Sequence, residues 1–272
     1  MNELTLIIVS FNNSEIIKKN LGYLNLIKDE FVECIIVDSC STQSELELLK
    51  AFESDYSFVK LIRSDLNRGF GSANNLGLQH VATKYFAIIN PDLFILRKHA
   101  LSDLIENFEQ DNCIACSPVL FRYSLDQDIP LKSIDSAGIV RRFLRYADRR
   151  DLSDFDGLKT SLVDALCGAF ILMRTSDVER ISDKKGQLFD EKIFMYKEDQ
   201  ELGIRIKSKG YTMTVFNIDG FFHCRGLFVR GEASYWQKQE AAKNELYMMV
   251  KHRKLFSLVS FMKYVIVRLF KV

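Results

Sequence analysis

The chain has 272 residues, of which 47% are hydrophobic and 27% charged, a balance typical of a globular protein with a sizeable buried core. Its formal net charge of +1 provides no overall field for binding nucleic acid, and its 3 prolines and 13 glycines argue against a long disordered linker. The 6 cysteines are scattered, which indicates reduced thiols in a cytoplasm. The first apolar run, Leu4 to Val9, is short and has no basic segment before it, so we expect no export signal.

The first half of the chain alternates short apolar runs with segments of helical periodicity. The predicted strands are Leu4–Val9, Phe31–Val37, Val59–Ile62 and Tyr85–Ile89. Units of strand, loop and helix at this spacing predict a parallel sheet with helices on both faces. Ligands bind such sheets at the carboxyl ends of the strands, where this chain has Ser10, Asn12, Asp38 and Asp92. We therefore expect these side chains to face one crevice.

The segment from Asn67 to Gly77 is rich in small residues, which let a backbone approach a ligand closely. It contains neither G-x-G-x-x-G nor G-K-[ST], so a dinucleotide fold and a P-loop are not supported. The stretch from about Phe121 to Leu162 has no clear periodicity, and its arginines form either a solvated face or a docking site for an anionic substrate. A buried strand is predicted over Val163–Met173 and a late strand over Thr212–Phe216.

Two adjacent acids, Glu198 and Asp199, follow a group of aromatic residues in the segment from Phe194 to Ile206. The apolar residues after them recur with helical spacing, so an amphipathic helix is predicted to begin at these acids. The positive end of a helix dipole favours ionised carboxylates, and an ionised carboxylate facing a cleft is a suitable general base. The alternative is that the two acids only stabilise the first turn of the helix.

The last segment, 246–272, contains no Asp or Glu and carries several Lys and Arg residues. On a helical wheel, a narrow polar stripe is formed by Ser257, Ser260, Tyr264, Arg268 and Lys271. Apolar side chains cover most of the remaining surface, but charges interrupt the run, so a membrane-spanning helix is not predicted. Two alternatives remain: the helix lies on an anionic membrane surface, or it packs against the domain or a partner.

A series of motifs stands in an order that resembles a known family. The motifs are V-S-F-N from Val9, V-D-S-C-S from Val37, N-R-G-F-G-S-A-N-N-L-G from Asn67, N-P-D from Asn90, G-A-F from Gly168, F-D-E-K-I-F-M-Y-K-E-D-Q-E-L from Phe189, H-C-R-G from His223, and Asn244 with Lys251-His252. Together they resemble the inverting family-two glycosyltransferases of the GT-A fold, in particular the bacterial rhamnosyltransferase-like branch. Ser39 stands where that branch has Asn, Ile193 replaces an aromatic residue, and Glu201 replaces an Asp.

The resemblance implies roles for particular residues. Asp199 would be the general base, and Glu198 beside it would shape the site or bind the acceptor. Asp92 would hold Mg²⁺ or Mn²⁺, with His223 as a second ligand or a diphosphate contact. The implied donor-binding residues are Ser10, Phe11, Asp38, Asn67, Asn75 and Asn90. Among these, the Asp38 carboxylate would accept a hydrogen bond from the N3–H of uracil or thymine.

The implied reaction is inverting transfer of a sugar, with dTDP-L-rhamnose as the favoured donor, to a hydroxyl of a polyprenyl-diphosphate-linked glycan in O-antigen or capsule assembly. Other members use UDP-hexoses or UDP-N-acetylhexosamines. A nucleotide-sugar-binding protein without turnover is a remote alternative. A sugar nucleotidyltransferase is disfavoured, because the segment after the first strand, Val9–Ser14, has no glycine for the loop that such enzymes need.

The implied architecture is an α/β GT-A domain over residues 1–230, with a mostly parallel, Rossmann-like central sheet flanked by helices. Residues 1–120 would bind the nucleotide sugar and residues 121–230 the acceptor. Residues 231–272 would form a helical extension. The expected location is the cytoplasm, with contact to the inner face of the cytoplasmic membrane through 246–272 as one of the two alternatives for that segment.

Overall fold

The computed structural model describes residues 3–142, 145–160, 162–224, 234–252 and 257–271. The first half alternates strands with helices, as the sequence predicts. Its elements are β1 (Leu4–Ser10), α1 (Ser14–Leu26), β2 (Glu33–Asp38), α2 (Gln43–Asp55), β3 (Val59–Arg63), α3 (Phe70–Leu78), β4 (Tyr85–Ile89), β5 (Leu93–Ile95) and α4 (Ala100–Gln110). The β-branched apolar runs form strands because such side chains fill a pleated surface that is covered on both faces.

The second half contains shorter strands and the later helices. Its elements are β6 (Ala115–Pro118), β7 (Leu120–Ser124), β8 (Ile129–Ser136), β9 (Ile139–Arg142), β10 (Arg145–Asp148), β11 (Lys159–Thr160), β12 (Phe170–Arg174), α5 (Val178–Ile181), α6 (Glu198–Ser208), β13 (Met213–Phe216), β14 (Phe221–His223), α7 (Tyr235–His252) and α8 (Ser257–Phe270). The helix predicted at the adjacent acids therefore begins at Glu198, as expected.

Within the described residues, eight strands form the central sheet in the order β11-β13-β6-β12-β4-β1-β2-β3. Strands β1 to β4 pair with one another in parallel, as predicted for the first half. β12 runs antiparallel to both β4 and β6, so the sheet is mixed beyond β4. The strand predicted over Val163–Met173 is confined to Phe170–Arg174. A strand buried on both faces has the same apolar pattern in either direction, so its orientation could not be predicted.

Helices cover both faces of the central sheet. Successive residues of β1 alternate between the faces: Leu6 and Ile8 belong to the apolar layer that contains α1, α2 and α4. Ile7 belongs to the opposite layer, which contains α3, α5 and α6. Because both faces are closed by helices, the carboxyl ends of the parallel strands remain as the place where polar side chains can meet a ligand.

A second sheet, in the order β5-β14-β7-β8, lies mostly in the stretch whose sequence has no clear periodicity. The pairing of β7 with β8 shifts register between Leu120 and Tyr123, and β8 is exposed along much of its length. These irregularities remove the alternation by which a strand is recognised in a sequence. In this second sheet, β14 carries the predicted site residue His223 and β8 carries Asp135.

Two helices, α7 and α8, occupy the region of the predicted helical extension, and they pack against each other. Ser260 and Val267 of α8 are buried, whereas Leu258, Leu269 and Phe270 are each more than 65% exposed. Residues of the polar stripe, such as Ser260, thus lie on the packed side of α8, and many of its apolar residues face away from the protein. Along the chain as far as the structure describes it, no helix combines the length and the apolar character needed to cross a bilayer.

Candidate active site

The carboxyl ends of β1, β2 and β4 bring the predicted site residues to one edge of the sheet. Ser10 and Asp38 are register partners at the ends of β1 and β2, and Ile8 is paired with Ile89 at the end of β4. Residues 90–92 continue from β4 at this edge. The parallel register therefore explains why residues far apart in the sequence lie close together here.

Asp38 is fully buried at the end of β2. Its Oδ1 atom accepts a hydrogen bond of 3.0 Å from the backbone N–H of Ser41. Its Oδ2 atom has no hydrogen-bond partner within the described residues, although the Arg63 Nη1 atom lies 3.7 Å away. A buried carboxylate oxygen without a hydrogen bond is costly, so this atom is suited to accept one from a ligand.

Phe11 and Asn67 lie near Asp38. Phe11 follows β1 directly and its side chain is 45% exposed. The Asn67 Oδ1 atom accepts hydrogen bonds from the Ser39 hydroxyl at 3.1 Å and from the Gly69 N–H at 3.0 Å, which joins the glycine-rich segment to the end of β2. Ser10 is buried, and its hydroxyl donates to Asn13 at 2.8 Å, so it orders the turn that presents Phe11.

The structure corrects the predicted donor-binding role of Asn75. This side chain is buried, and its Oδ1 atom accepts hydrogen bonds of 2.9 Å from the N–H groups of Leu188 and Phe189. Its Nδ2 atom donates to the Phe189 carbonyl at 2.9 Å and lies 3.5 Å from Glu191 Oε1. All of its hydrogen-bonding capacity is used. Asn75 therefore fastens the segment before α6 to α3 rather than binding a nucleotide.

A second contact joins the segment from Asn67 to Gly77 to the residues that precede α6. The backbone N–H of Phe70 donates to the carbonyl of Phe194 at 3.0 Å. Gly69 has φ +86°, and a Cβ atom there would lie 1.8 Å from that same carbonyl oxygen. Only glycine fits this close approach of two backbones. Gly69, Phe70 and Asn75 of the motif thus hold residues 188–194 in place, and Asn67 contacts the end of β2 through Ser39.

Asp92, His223 and Asp135 form a buried row, in which Asp92 lies between β4 and β5 and the other two lie in the second sheet. His223 Nε2 lies 3.3 Å from Asp92 Oδ1, and His223 Nδ1 lies 2.9 Å from Asp135 Oδ2. Burial alone would lower the pKa of His223, but the carboxylates of Asp92 and Asp135 outweigh it and raise this pKa to about 9. The Asn90 side-chain nitrogen is 3.5 Å from His223 Nε2. Asp135 was not identified from the sequence, because β8 lacks a recognisable strand pattern.

Asp199 and Glu198 occupy the first turn of α6. Asp199 Oδ2 accepts a hydrogen bond of 3.3 Å from the backbone N–H of Gly168, just before β12. Burial raises the pKa of Asp199, and burial together with the neighbouring Asp199 raises the pKa of Glu198 to about 8. The helix dipole favours the ionised form of these acids, but desolvation acts in the opposite direction and has the larger effect on their pKa values. The Glu198 Oε2 atom is buried and has no hydrogen-bond partner in the part of the chain that the structure describes.

A short chain of contacts connects the acids of α6 with the end of β4. The backbone N–H of Asn90 donates to the carbonyl of Ala169 at 3.0 Å, and the preceding residue, Gly168, donates to Asp199. Asp92 and Asp199 therefore lie on either side of the junction between β4 and β12. This arrangement places a histidine–carboxylate pair and a carboxylate of raised pKa at the same edge of the sheet as Asp38, which lies two strands from β4 at the end of β2.

Comparison with protein families gives the same result as the geometry. The model of glycosyl transferase family 2 matches residues 5–181, which is more than half of the chain. The chain belongs to glycosyl transferase family 2. The family recognised from the motifs is thereby confirmed.

Curated relatives within family 2 use different sugars. Rhamnosyltransferase WbbL of Escherichia coli K12 is 28% identical over 215 residues, which cover 75% of this chain and 77% of that protein. A poly-β-1,6-N-acetyl-D-glucosamine synthase of Staphylococcus aureus is 28% identical over 108 residues, which cover 40% of this chain and 26% of that protein. The likeness to a rhamnosyltransferase is thus extensive along the chain but distant in identity.

Solved structures share the fold of this family 2 protein. GalNAc-T7, solved with UDP, GalNAc and Mn²⁺, matches with a TM-score of 0.69 at 12% identity over 91% of this chain and 48% of that one. Mannosyltransferase PcManGT of Pyrobaculum calidifontis, solved with GDP-Man and Mn²⁺, matches with a TM-score of 0.63 at 15% identity over 98% of this chain and 70% of that one. The predicted α/β GT-A fold, with its large central sheet and flanking helices, is confirmed.

The predicted metal ligands Asp92 and His223 fit a cation only in part. The Asp92 oxygen suits Mg²⁺ or Mn²⁺ and the His223 nitrogen suits Mn²⁺ better than Mg²⁺, but together they supply only two donors. Over the described ranges, no group of three or more His, Cys, Asp or Glu side chains is arranged to hold a metal ion. A cation at this point would therefore need further ligands from a bound diphosphate and from water.

The segment that leads into α6 has an unusual backbone that α7 supports. Tyr196 and Lys197 have φ values of +69° and +75°, which residues with a side chain rarely adopt. The Asn244 Nδ2 atom donates to the carbonyls of Met195 at 2.8 Å and Tyr196 at 3.1 Å. Asn244 was noticed in the sequence only as part of a motif, and its contact with the start of the acidic helix is a finding of the structure.

Proposed function

We propose that this family 2 protein transfers a sugar from a nucleoside diphosphate donor to a hydroxyl group of a glycan, with inversion at the anomeric carbon. One observation carries the proposal: the carboxylate of Asp199, with a raised pKa, lies at the sheet edge that also holds Asp92 and Asp38. This edge combines a base, a group suited to a cation, and a carboxylate suited to a nucleobase. The transfer reaction needs all three.

Asp199 is the proposed general base. The acceptor oxygen attacks the anomeric carbon while the bond from that carbon to the diphosphate oxygen breaks, and Asp199 takes the proton of the attacking hydroxyl. A raised pKa makes the carboxylate a stronger base near neutral pH. Glu198 is the proposed acceptor contact, because a sugar hydroxyl would satisfy its buried Oε2 atom.

The donor nucleotide is proposed to bind at the ends of β1 and β2. The buried Oδ2 atom of Asp38 would accept the N3–H of uracil or thymine, which is the donor on that edge of both bases. The exposed ring of Phe11 offers a surface on which the base can stack. Asn67 and Asn90 line the same edge, near Ser39 and His223 respectively.

The departing diphosphate is proposed to meet a divalent cation, Mg²⁺ or Mn²⁺, held by Asp92 and His223. When bound, this ion neutralises negative charge that develops on the leaving group. His223 must lose its extra proton to act as a ligand, and Asp135 then fixes the ring by accepting from its Nδ1–H. Removal of metal with EDTA should abolish transfer and Mn²⁺ should restore it; activity indifferent to both treatments contradicts this part of the proposal.

The favoured donor is dTDP-L-rhamnose, and the favoured acceptor is a polyprenyl-diphosphate-linked glycan of O-antigen or capsule assembly. The support is the extensive likeness to rhamnosyltransferase WbbL. A UDP-hexose or UDP-N-acetylhexosamine donor is the alternative, supported by the shorter match to poly-β-1,6-N-acetyl-D-glucosamine synthase. Thermal-shift titration with dTDP-rhamnose, UDP-glucose and UDP-N-acetylglucosamine separates them, because the true donor should give the largest stabilisation at equal concentration.

Asp199→Asn tests the reaction itself. The change keeps the size of the side chain but removes the base, so transfer should fall by about 10²–10⁴-fold while the thermal shift with the donor is retained. Asp219→Asn, at an exposed acid that pairs with Arg97 away from α6, is the control and should leave transfer unchanged. Full transfer by Asp199→Asn would exclude Asp199 as the base.

We further propose that α8 rests on an anionic membrane surface, which would bring the site close to a lipid-linked acceptor. Its outer face presents apolar side chains, among them Leu258, Phe261 and Phe270, which are more than half exposed. Arg268 and Lys271 are exposed at its end, and no acidic residue occurs anywhere in 246–272. An apolar face with basic flanks is suited to the interface of a bilayer that contains anionic lipids. Arg253 and Lys254, which add to the basic charge, lie outside the described residues.

Sedimentation with vesicles tests this contact. The protein should bind vesicles of phosphatidylglycerol and phosphatidylcholine more strongly than phosphatidylcholine alone, and the double variant Leu258→Ser with Phe261→Ser should lose most of the binding. Leu158→Ser, at a residue 62% exposed elsewhere, is the matched control. Equal sedimentation of the double variant contradicts the membrane contact, and dimerisation that the same variant abolishes would indicate a second copy on this face.

A further inference from the structure

Three aromatic rings meet beside the start of α6. Trp236, in the first turn of α7, lies edge-on to Phe194 with 6.4 Å between the ring centroids and to Tyr196 with 6.3 Å between them. The side chain of Trp236 is 47% exposed, and Phe194 and Tyr196 are partly exposed. We refer to Phe194, Tyr196 and Trp236 as the aromatic cluster.

The aromatic cluster does not belong to the core. Within the described residues, none of its members packs into any of the buried hydrophobic clusters of the protein. Large aromatic side chains contribute most to stability when they are buried, and three adjacent rings left partly open to solvent retain apolar surface that a ligand can cover. The cluster therefore contributes less to the fold than its size would allow.

The rings are held in place before any ligand arrives. The side chain of Gln237 donates to the Tyr196 hydroxyl at 2.9 Å, and Asn244 holds the carbonyls of Met195 and Tyr196. The carbonyl of Phe194 accepts a hydrogen bond from Phe70. Aromatic rings fixed in this way lose little conformational freedom when they bind a ligand, which favours binding.

The aromatic cluster is also close to the proposed base. Tyr196 precedes Asp199 by three residues, which span at most about 11 Å even when fully extended. The ring of Trp236 lies next to that of Tyr196, with 6.3 Å between their centroids. A sugar whose hydroxyl reaches Asp199 would therefore bring itself, or the sugar next to it, over these rings.

We infer that the aromatic cluster binds a pyranose ring of the acceptor glycan, with Trp236 as the stacking surface. The face of an aromatic ring is electronegative and attracts the C–H bonds on the apolar face of a pyranose, while Gln237 and the Tyr196 hydroxyl can bind sugar hydroxyls. The donor nucleobase is assigned elsewhere, because Asp38 lies at the end of β2 and the cluster lies at the junction of α6 with α7. The inference rests on the proposed transferase function and names the part of the site that recognises its acceptor.

Fluorescence tests the inference without turnover, since Trp236 is the single tryptophan of the chain. The full-length protein with bound dTDP or UDP is titrated with octyl glycosides of rhamnose, glucose, galactose and N-acetylglucosamine. We expect at least one glycoside to shift or quench the tryptophan emission in a saturable way, while octanol alone does not. If every glycoside leaves the emission unchanged, the inference is wrong, whether or not the protein transfers sugars.

Kinetics with the responding glycoside as acceptor provide the second test. Trp236→Ala should raise the acceptor KM at least about tenfold and leave the donor KM unchanged. Trp236→Phe should recover most of the acceptor affinity, and Leu158→Ala is the control for loss of an exposed apolar side chain. An unchanged acceptor KM, or an equal rise in the donor KM, overturns the inference; absence of donor turnover in the wild-type protein would instead count against the proposed function.

Discussion

Asn75 connects two parts of the chain that are more than a hundred residues apart. It bonds three backbone groups of Leu188 and Phe189, all of them buried with it. We predict that Asn75→Ala lowers the free energy of unfolding by about 2–4 kcal/mol, because these groups would lose their partners in a site closed to water. The folded variant should bind the donor nucleotide as tightly as the wild type. Urea unfolding and donor titration measure the two effects separately.

Asn74→Ala is the matched control for Asn75. Asn74 is equally buried and adjacent in α3, but its side chain makes a single hydrogen bond, to the Phe70 carbonyl at 3.0 Å. Its replacement should cost about 1 kcal/mol or less. If Asn75→Ala weakened donor binding while the unfolding free energy stayed the same, the donor role that the sequence predicted for Asn75 would be restored.

Single residues at the ends of regular elements were predictable, and residues in irregular stretches were not. Asp38 and Asp92 follow apolar runs that can only be buried strands, so their place at one sheet edge follows from the parallel pattern. Asp135 contacts His223 from a strand with a disturbed register, and no local pattern marks it. Asn75 was assigned a nucleotide contact because a motif records that a residue is needed, but it does not say which atoms the side chain meets.

At the level of elements, α7 holds the entrance to α6. Asn244 bonds the two carbonyls that precede the left-handed pair Tyr196 and Lys197, a backbone conformation that costs about 1–3 kcal/mol for each residue with a side chain. We predict that Asn244→Ala lowers kcat about tenfold, because the first turn of α6 is then free to move Asp199 away from its position. The donor KM should change by less than about twofold. Initial rates over a matrix of donor and acceptor concentrations measure both values.

Lys243→Ala is the control for Asn244. Lys243 precedes it on α7, is exposed, and pairs with Glu240 on the same helix, so its loss should leave kcat unchanged. Thermal unfolding of Asn244→Ala should confirm that the protein is folded at the assay temperature. An unchanged kcat in the folded variant would mean that α7 stabilises the fold without positioning the base.

Some helices and strands could be predicted from the sequence, and others could not. The helix at Glu198 follows from its first-turn acids and its apolar spacing. β7 to β10 were not predicted, because β8 exposes much of its length and their pairs are short or irregular. The face that α8 turns outward could not be known in advance either. Its polar stripe could either pack against another helix or face the solvent, and the contact of α8 with α7 decides between these two orientations.

For the molecule as a whole, the buried acids couple stability to pH in opposite directions. Burial alone would raise the pKa of Glu201, but its bonds to His252, Arg205 and Lys251 lower this pKa to about 2. The contribution of Glu201 to the free energy of unfolding is therefore present above the ordinary pKa of 4.5 and is lost as pH falls towards 2. The pKa of Glu198 is raised to about 8, so the folded state binds its proton more tightly than the unfolded state between pH 4.5 and about 8. The contribution of Glu198 is therefore fully present below pH 4.5 and is lost as pH rises through about 8.

Activity and stability should consequently change in opposite directions between about pH 5 and about pH 8.5. We predict that the free energy of unfolding falls by about 1–3 kcal/mol over this range, while the rate of sugar transfer rises because the raised pKa of Asp199 leaves its base form least complete at the acid end. Urea unfolding and initial rates over this range measure the two trends. In Glu198→Gln the fall in stability should be smaller, and the difference from the wild type isolates Glu198, because His223 and the other titrating groups are common to both proteins. Parallel pH profiles of stability for the two proteins would mean that Glu198 has an ordinary pKa. A transfer rate that falls from about pH 6 to about pH 8.5 would contradict the proposal that Asp199 must lose a proton to act as the base.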